Sequence, residues 1–190
     1  MGAGWRADGR RARIARRFAA RAAALLAVPC ALPGLVAASP DAIVLEVDLE
    51  RHELRAEDGG EPGPRFAIAA GTPTHPTPRG RFVLDELTAN PRFRPGPIAR
   101  AAGARPREAS AHGPLGVAKI PFLGSFQLHA GADRLAVGKP LTLGCVALTD
   151  GDMRELITWL GERGALGAGA RTPSGEVLHR FVRRATLRID

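Results

Sequence analysis

Residues 42–59 read AIVLEVDLERHELRAEDG, and their polarity alternates with a period of two. In an extended chain Ile43, Leu45, Val47 and Leu49 share one face, with Glu46 and Asp48 on the other. That is the pattern of a strand with one side in a core and one in water. "ERH" reads as the turn and "ELRAEDGG" as the return strand of a hairpin. A hairpin alone is marginal in water, so this segment biases the chain toward a sheet.

The rest of the chain agrees. "RFAIAAGT" is a further short strand, and "PTHPTPRGRFVL" runs from a proline-punctuated loop into a strand at Phe82, Val83 and Leu84. Residues 90–116 carry few apolar side chains and several Pro and Gly, which predicts a long surface loop of a functional kind. "VAKI" and "SFQLHA" follow as strands. One segment switches to helical spacing: Met153, Leu156, Ile157 and Leu160 fall at i, i+3, i+4 and i+7. Thr149 or Asp150 caps this helix, Asp152 suits its positive end, and Gly161 or Gly164 ends it. "GALGAGARTPSG" reads as a linker and "EVLHRFVRRATLRID" as a terminal strand or strand pair. The expected fold class is mostly β (α+β), with one principal helix.

Charge is the feature that misleads. The chain has 27 Lys+Arg against 19 Asp+Glu, but residues 1–38 hold seven arginines and one acid. The remainder is left with 20 basic and 18 acidic residues, a poor electrostatic footprint for nucleic acid. The first 38 residues instead have the three parts of an export signal: Arg-rich "RRARIARRF", apolar "AARAAALLAVPCALPGLV", and Val36 and Ala38 ahead of a cleavage point. Pro29, Pro33 and Gly34 break the apolar run, which argues against a spanning helix and limits membrane contact to export itself. Residues 1–38 are therefore expected to be a signal peptide and 39–190 a periplasmic domain. Its core spans about 42–160, with a linker and strand over 161–190.

Removal of the signal takes Cys30 with it and leaves Cys145 as the only thiol, in "LTLGCVALTD". An unpaired thiol in an oxidising compartment is either a buried small hydrophobe or a nucleophile. His129 ends the strand "SFQLH", and a returning loop leads back to Gly144-Cys145. A strand-end histidine and a cysteine beyond such a loop can meet as base and nucleophile, with N–H groups of Gly144 and Cys145 turned to an oxyanion. Spacing alone leaves both readings open.

Taken together, "HAGADRLAVGKPLTLGCVAL" resembles the signature of the L,D-transpeptidase (YkuD-type) catalytic domain: a histidine, a spacer, then Gly-Cys. Upstream, "IVLEVDLERHELRAEDG" is similar to the family's opening hairpin, "GTPTHPTPRGRFVL" to its Thr-Pro-x-Gly-x-Phe segment, and "HGPLG" to its Pro-Leu-Gly element. The resemblance implies a β-sandwich-like catalytic domain with its principal helix after the cysteine. It implies that Cys145 attacks the L-centre carbonyl of a peptidoglycan stem tetrapeptide and releases D-alanine. His129 is then the general base, oriented by the backbone carbonyl of Ala130, with Gly144 giving an oxyanion N–H. No metal or organic cofactor is implied.

Leu143 and Ala147 stand where the family usually has histidine and arginine, and "GCVALTD" resembles a branch that includes hydrolases. The acceptor is thus an amine or water, and the alternatives are an L,D-carboxypeptidase, an amidase releasing wall-linked lipoprotein, or a non-catalytic wall-binding domain. Thr142, His112, Lys139 and Arg134 are the candidate substrate contacts. A zinc site from His112, His129 and Cys145 lacks the tight paired spacing of metal ligands.

Overall fold

The structure, a computed structural model, describes residues 42–190; the expected signal peptide lies outside the described residues. The first sheet has the order β3-β2-β1-β13-β5. Its strands are β1 (Ile43–Asp48), β2 (Glu53–Asp58), β3 (Glu61–Ala67), β5 (Gly80–Val83) and β13 (Ala185–Ile189). The hairpin forms as the alternation predicts, with Ile43 opposite Asp58 and Val47 opposite Leu54. β13 inserts between β1 and β5, parallel to β1 and antiparallel to β5. β3 begins earlier than expected, at "EPGPRFA": Pro62 and Pro64 are accepted because β3 is an edge strand with one side unpaired.

The second sheet runs β10-β8-β7-β6-β12-β11. It consists of β6 (Glu86–Ala89), β7 (Ala118–Leu123), β8 (Phe126–His129), β10 (Val146–Ala147), β11 (Ala170–Arg171) and β12 (Val177–Arg180). A two-stranded parallel pair, β4 (Ala70–Gly71) with β9 (Pro140–Thr142), completes the β-structure. The sequence reading gives no strand at β6, β9, β10 or β11, which are too short and too mixed to show a period. The predicted long loop contains a five-residue helix, α1 (Pro97–Ala101), started by proline at its first position.

One core is filled from both open sheets and from the principal helix α2 (Asp150–Glu162). Ile43, Leu45, Leu54 and Leu187 come from the first sheet, Leu87, Ile120 and Leu128 from the second, and Met153, Leu156 and Leu160 from α2. Thr149 caps α2, its hydroxyl accepting from the Asp152 N–H at 3.1 Å. Ile157, expected on the buried face, is half-buried, and Trp159 is buried instead.

Trp159 lies on β3 at Gly63, where a Cβ would come within 2.6 Å of the indole. Arg163 also stacks on the indole, its guanidinium 4.4 Å from the ring centroid, and reaches Asp58 at 3.5 Å. Asp58 also accepts two bonds from Arg183, at 2.6 and 2.9 Å, and these hold its carboxyl below the ordinary value. Gly63→Val should therefore destabilise the domain by about 1–3 kcal/mol, because the added side chain displaces the indole. Urea unfolding should show a lower midpoint at unchanged slope.

Candidate active site

The inner face of the second sheet is the row Val146, Leu128, Ile120 and Leu87, all fully buried. Its outer face carries the alternate residues, and these floor a cleft of about 500 Å³. Lys119 and Pro121 come from β7, Gln127 and His129 from β8, and Cys145 from the residue before β10. One wall is the segment 93–99, which includes the start of α1. Arg92 anchors that segment to buried Glu176 through its N–H at 2.9 Å and its Nε at 2.8 Å, and Phe93 and Arg107 exchange backbone bonds across its neck.

β10 runs parallel to β8, with Val146 opposite Leu128 and Ala147 opposite His129. Continuing that register sets Cys145 against Gln127, one pleat repeat from His129 on the same face. Strand and pleat spacings then put the Cα atoms of Cys145 and His129 roughly 8 Å apart, within joint reach of a thiol and an imidazole. His129 Nδ1 lies 2.6 Å from the Ala130 carbonyl oxygen. A carbonyl only accepts, so Nδ1 carries the proton and Nε2 keeps its lone pair.

Burial pushes the His129 pKa below the ordinary value, and the bond to Ala130 opposes this only partly. Burial likewise pushes the Cys145 thiol up, against a backbone N–H of Gln127 aimed at the sulfur. Burial thus favours the uncharged form of each group.

Gly144 has φ +104°, and a Cβ there would sit 2.5 Å from the Phe126 ring. Thr142 locks the turn: its hydroxyl donates to the Cys145 carbonyl at 2.6 Å and accepts from the Gly144 N–H at 3.1 Å. The Gly144 N–H, expected to face an oxyanion, is thus turned to Thr142. The loop 130–142 is in turn zipped to residues 68–72. Gly138 donates to Ile68, Ala70 to Lys139 and Thr72 to Thr142, and Ala69 and Ala147 exchange two bonds of 2.8 Å. That places the upstream "AIAAGTPTHPT" segment directly against the cysteine loop.

Thr142 lines the cleft, but its hydroxyl is engaged in the turn. His112 lies in a neighbouring depression with Arg107 and Ser110, apart from His129 and Cys145. Among the described residues no three His, Cys, Asp or Glu side chains converge as a metal site would require. Arg134 and Lys139 are exposed in the cysteine loop and do not line the cleft. The sequence reading missed Lys119, which pairs directly with His129 across β7 and β8. Reading "VAKIPFLGSFQLH" as one hairpin centred on Gly124-Ser125 would have found it.

Residues 42–176 match the family YkuD, the L,D-transpeptidase catalytic domain. No curated protein sequence matches the chain. Among solved structures, an L,D-transpeptidase from Mycobacterium tuberculosis H37Rv superposes with a TM-score of 0.52 at 14% identity, covering 78% of this chain and 57% of its own. L,D-transpeptidase 3 from Mycobacterium tuberculosis, in complex with a faropenem-derived adduct, gives 0.52 at 13% identity, covering 78% and 60%. A cysteine-to-serine variant of an Enterococcus faecium L,D-transpeptidase gives 0.51 at 18% identity, covering 78% and 49%. These likenesses are of fold, and the chain spans about half to three fifths of the length of those proteins.

The neutral pair has a measurable signature. Alkylation of Cys145 by iodoacetamide should rise with pH through an inflection above the ordinary thiol value of 9.0, because burial raises that pKa. It should show no plateau between pH 5 and 8, where a thiolate–imidazolium pair would already react at full rate. Thr142→Val removes both bonds of the turn, and should slow alkylation at fixed pH by roughly 10-fold through loss of sulfur positioning.

Proposed function

Because this chain belongs to the L,D-transpeptidase catalytic-domain family, we propose that it is a cysteine acyltransferase acting on peptidoglycan stem peptides outside the cytoplasm. The observation that carries the reading is the shared outer face of β8 and β10. There an imidazole locked by the Ala130 carbonyl shares a cleft with the only cysteine among the described residues.

Cys145 and His129 are neutral at rest, so proton transfer accompanies attack instead of preceding it. As Sγ approaches the L-centre carbonyl of the donor, His129 Nε2 takes the thiol proton. The N–H of Cys145 stabilises the oxyanion, since that of Gly144 serves the turn. Collapse of the tetrahedral species breaks the C–N bond, and the imidazolium returns its proton to the leaving D-alanine amine. The thioester then passes to an acceptor, with His129 as base a second time.

The acceptor is an amine in the leading reading and water in the second. Hydrolysis is favoured by one feature of this site: Ala147, opposite His129, is a buried methyl at 3% exposure and offers nothing polar to hold an acceptor. That variant would trim stem peptides or release a wall-linked lipoprotein.

Incubation with purified muropeptides and mass spectrometry separates the readings. Crosslinked dimers support transfer, and shortened or detached monomers support hydrolysis. Cys145→Ala should abolish both, and His129→Ala should lower either by roughly 10²–10⁴-fold. A carbapenem should add its mass to the wild type and not to Cys145→Ala. Wild-type cell-wall function retained by Cys145→Ala would favour a non-catalytic wall-binding domain.

A further inference from the structure

On the reading just given, we infer that Lys119 binds the carboxylate of the departing D-amino acid and so selects donors with a free C-terminal carboxylate. Lys119 sits on β7, an interior strand, and faces the cleft. It is half-buried and has no salt-bridge partner among the described residues. The cleft lining contains no Asp or Glu; its charged side chains are Lys119 on the floor and Arg94 on the wall. A strand-interior cation without a counter-charge suits an anionic ligand.

The order of groups across the sheet fixes which anion. Ala147, His129 and Lys119 form one cross-strand row over β10, β8 and β7, with Cys145 one pleat repeat along on the β10 side. Adjacent strands lie about 4.8 Å apart, so the thiol, the imidazole and the ammonium follow one another across the floor. An L,D-linked donor has the same order. Its scissile carbonyl must meet Sγ, and its leaving nitrogen must meet Nε2 to be protonated. The carboxylate of the leaving residue is two bonds beyond that nitrogen, on the Lys119 side. The opposite flank of His129 offers only the buried methyl of Ala147.

The step balances without a further reagent. Sγ bonds to the carbonyl carbon, the C–N bond breaks, and the imidazolium proton passes to the amine. The D-amino acid departs with its carboxylate released from the ammonium. Lys119 thus acts on thioester formation and plays no part once the leaving group has gone.

The test compares a stem tetrapeptide with its C-terminal carboxamide, for the full-length protein and for Lys119→Met and Lys119→Arg. The kcat/KM for release of D-alanine or D-alaninamide is read by mass spectrometry. The wild type should prefer the free acid by roughly 10- to 100-fold, the range of a charge-assisted hydrogen bond. Lys119→Met should lose that factor on the acid alone, bringing the two donors level, while Lys119→Arg retains most of it. Breakdown of a preformed Cys145 thioester should run at wild-type rate in Lys119→Met. A donor amidated only at its other carboxylates should react normally. Equal losses on acid and amide, an unchanged preference, or a preference that follows another carboxylate would each overturn the assignment. A wild type that turns over both donors equally would overturn it while leaving the acyltransfer reading intact. A wild type inert toward both would remove that reading as well.

Discussion

Two residues of parallel pairing, Val146 on Leu128 and Ala147 on His129, decide whether this molecule has a site at all. Parallel strands cannot be joined by a tight turn, and the connection here is residues 130–145, with no helix to satisfy its backbone. The chain solves this by lending residues 68–72 as a partner, so that backbone bonds across the loop replace those a crossover helix would supply. The Gly144–Cys145 turn then fits only because residue 144 has no side chain against Phe126. Phe126 continues into Phe122 and Phe82, with ring centroids 6.4 and 5.1 Å apart, so the turn rests on the aromatic packing between the two sheets.

What the sequence made legible was what is written locally. The first hairpin and α2 have clean periods over their whole lengths, and Thr149 stands at the capping position that its spacing to Asp152 demands. His129 reads in the sequence as the end of an apolar strand with Cys145 beyond a returning loop, and β8 does end at His129. What stayed hidden depends on contacts far apart in the chain. Asp58 looks like an ordinary turn carboxylate until Arg163 and Arg183 arrive beside it. His112, Arg134 and Lys139 are near the site in sequence and away from the cleft floor in space, since loops can carry a side chain either way. Lys119 had the reverse fate: it sits ten residues from His129 in sequence and directly beside it in the sheet.

The electrostatics of the cleft follow from the same architecture. Burial raises the thiol and lowers the imidazole, so each is favoured in its uncharged form. Permanent charge in the cleft is left to Lys119 and Arg94, both positive and on different elements. The thiol and imidazole thus lie beside cationic side chains with no carboxylate among the cleft-lining residues. Burial also makes the thiol a poor target for oxidants, which attack thiolate in preference to thiol.

The position of β13 has a consequence in time. The first sheet is ordered β3-β2-β1-β13-β5, so its interior is completed by residues 185–189 wedged between strands formed from residues 43–48 and 80–83. A ribosome delivering this chain from its N-terminal end would release β1 and β5 long before the strand that joins them. Until then each presents an unpaired edge, and the sheet cannot close around its core. Such long-range pairing makes folding slow, and here also late. The first sheet is thus completed only once β13 has emerged, and the core that it covers closes late.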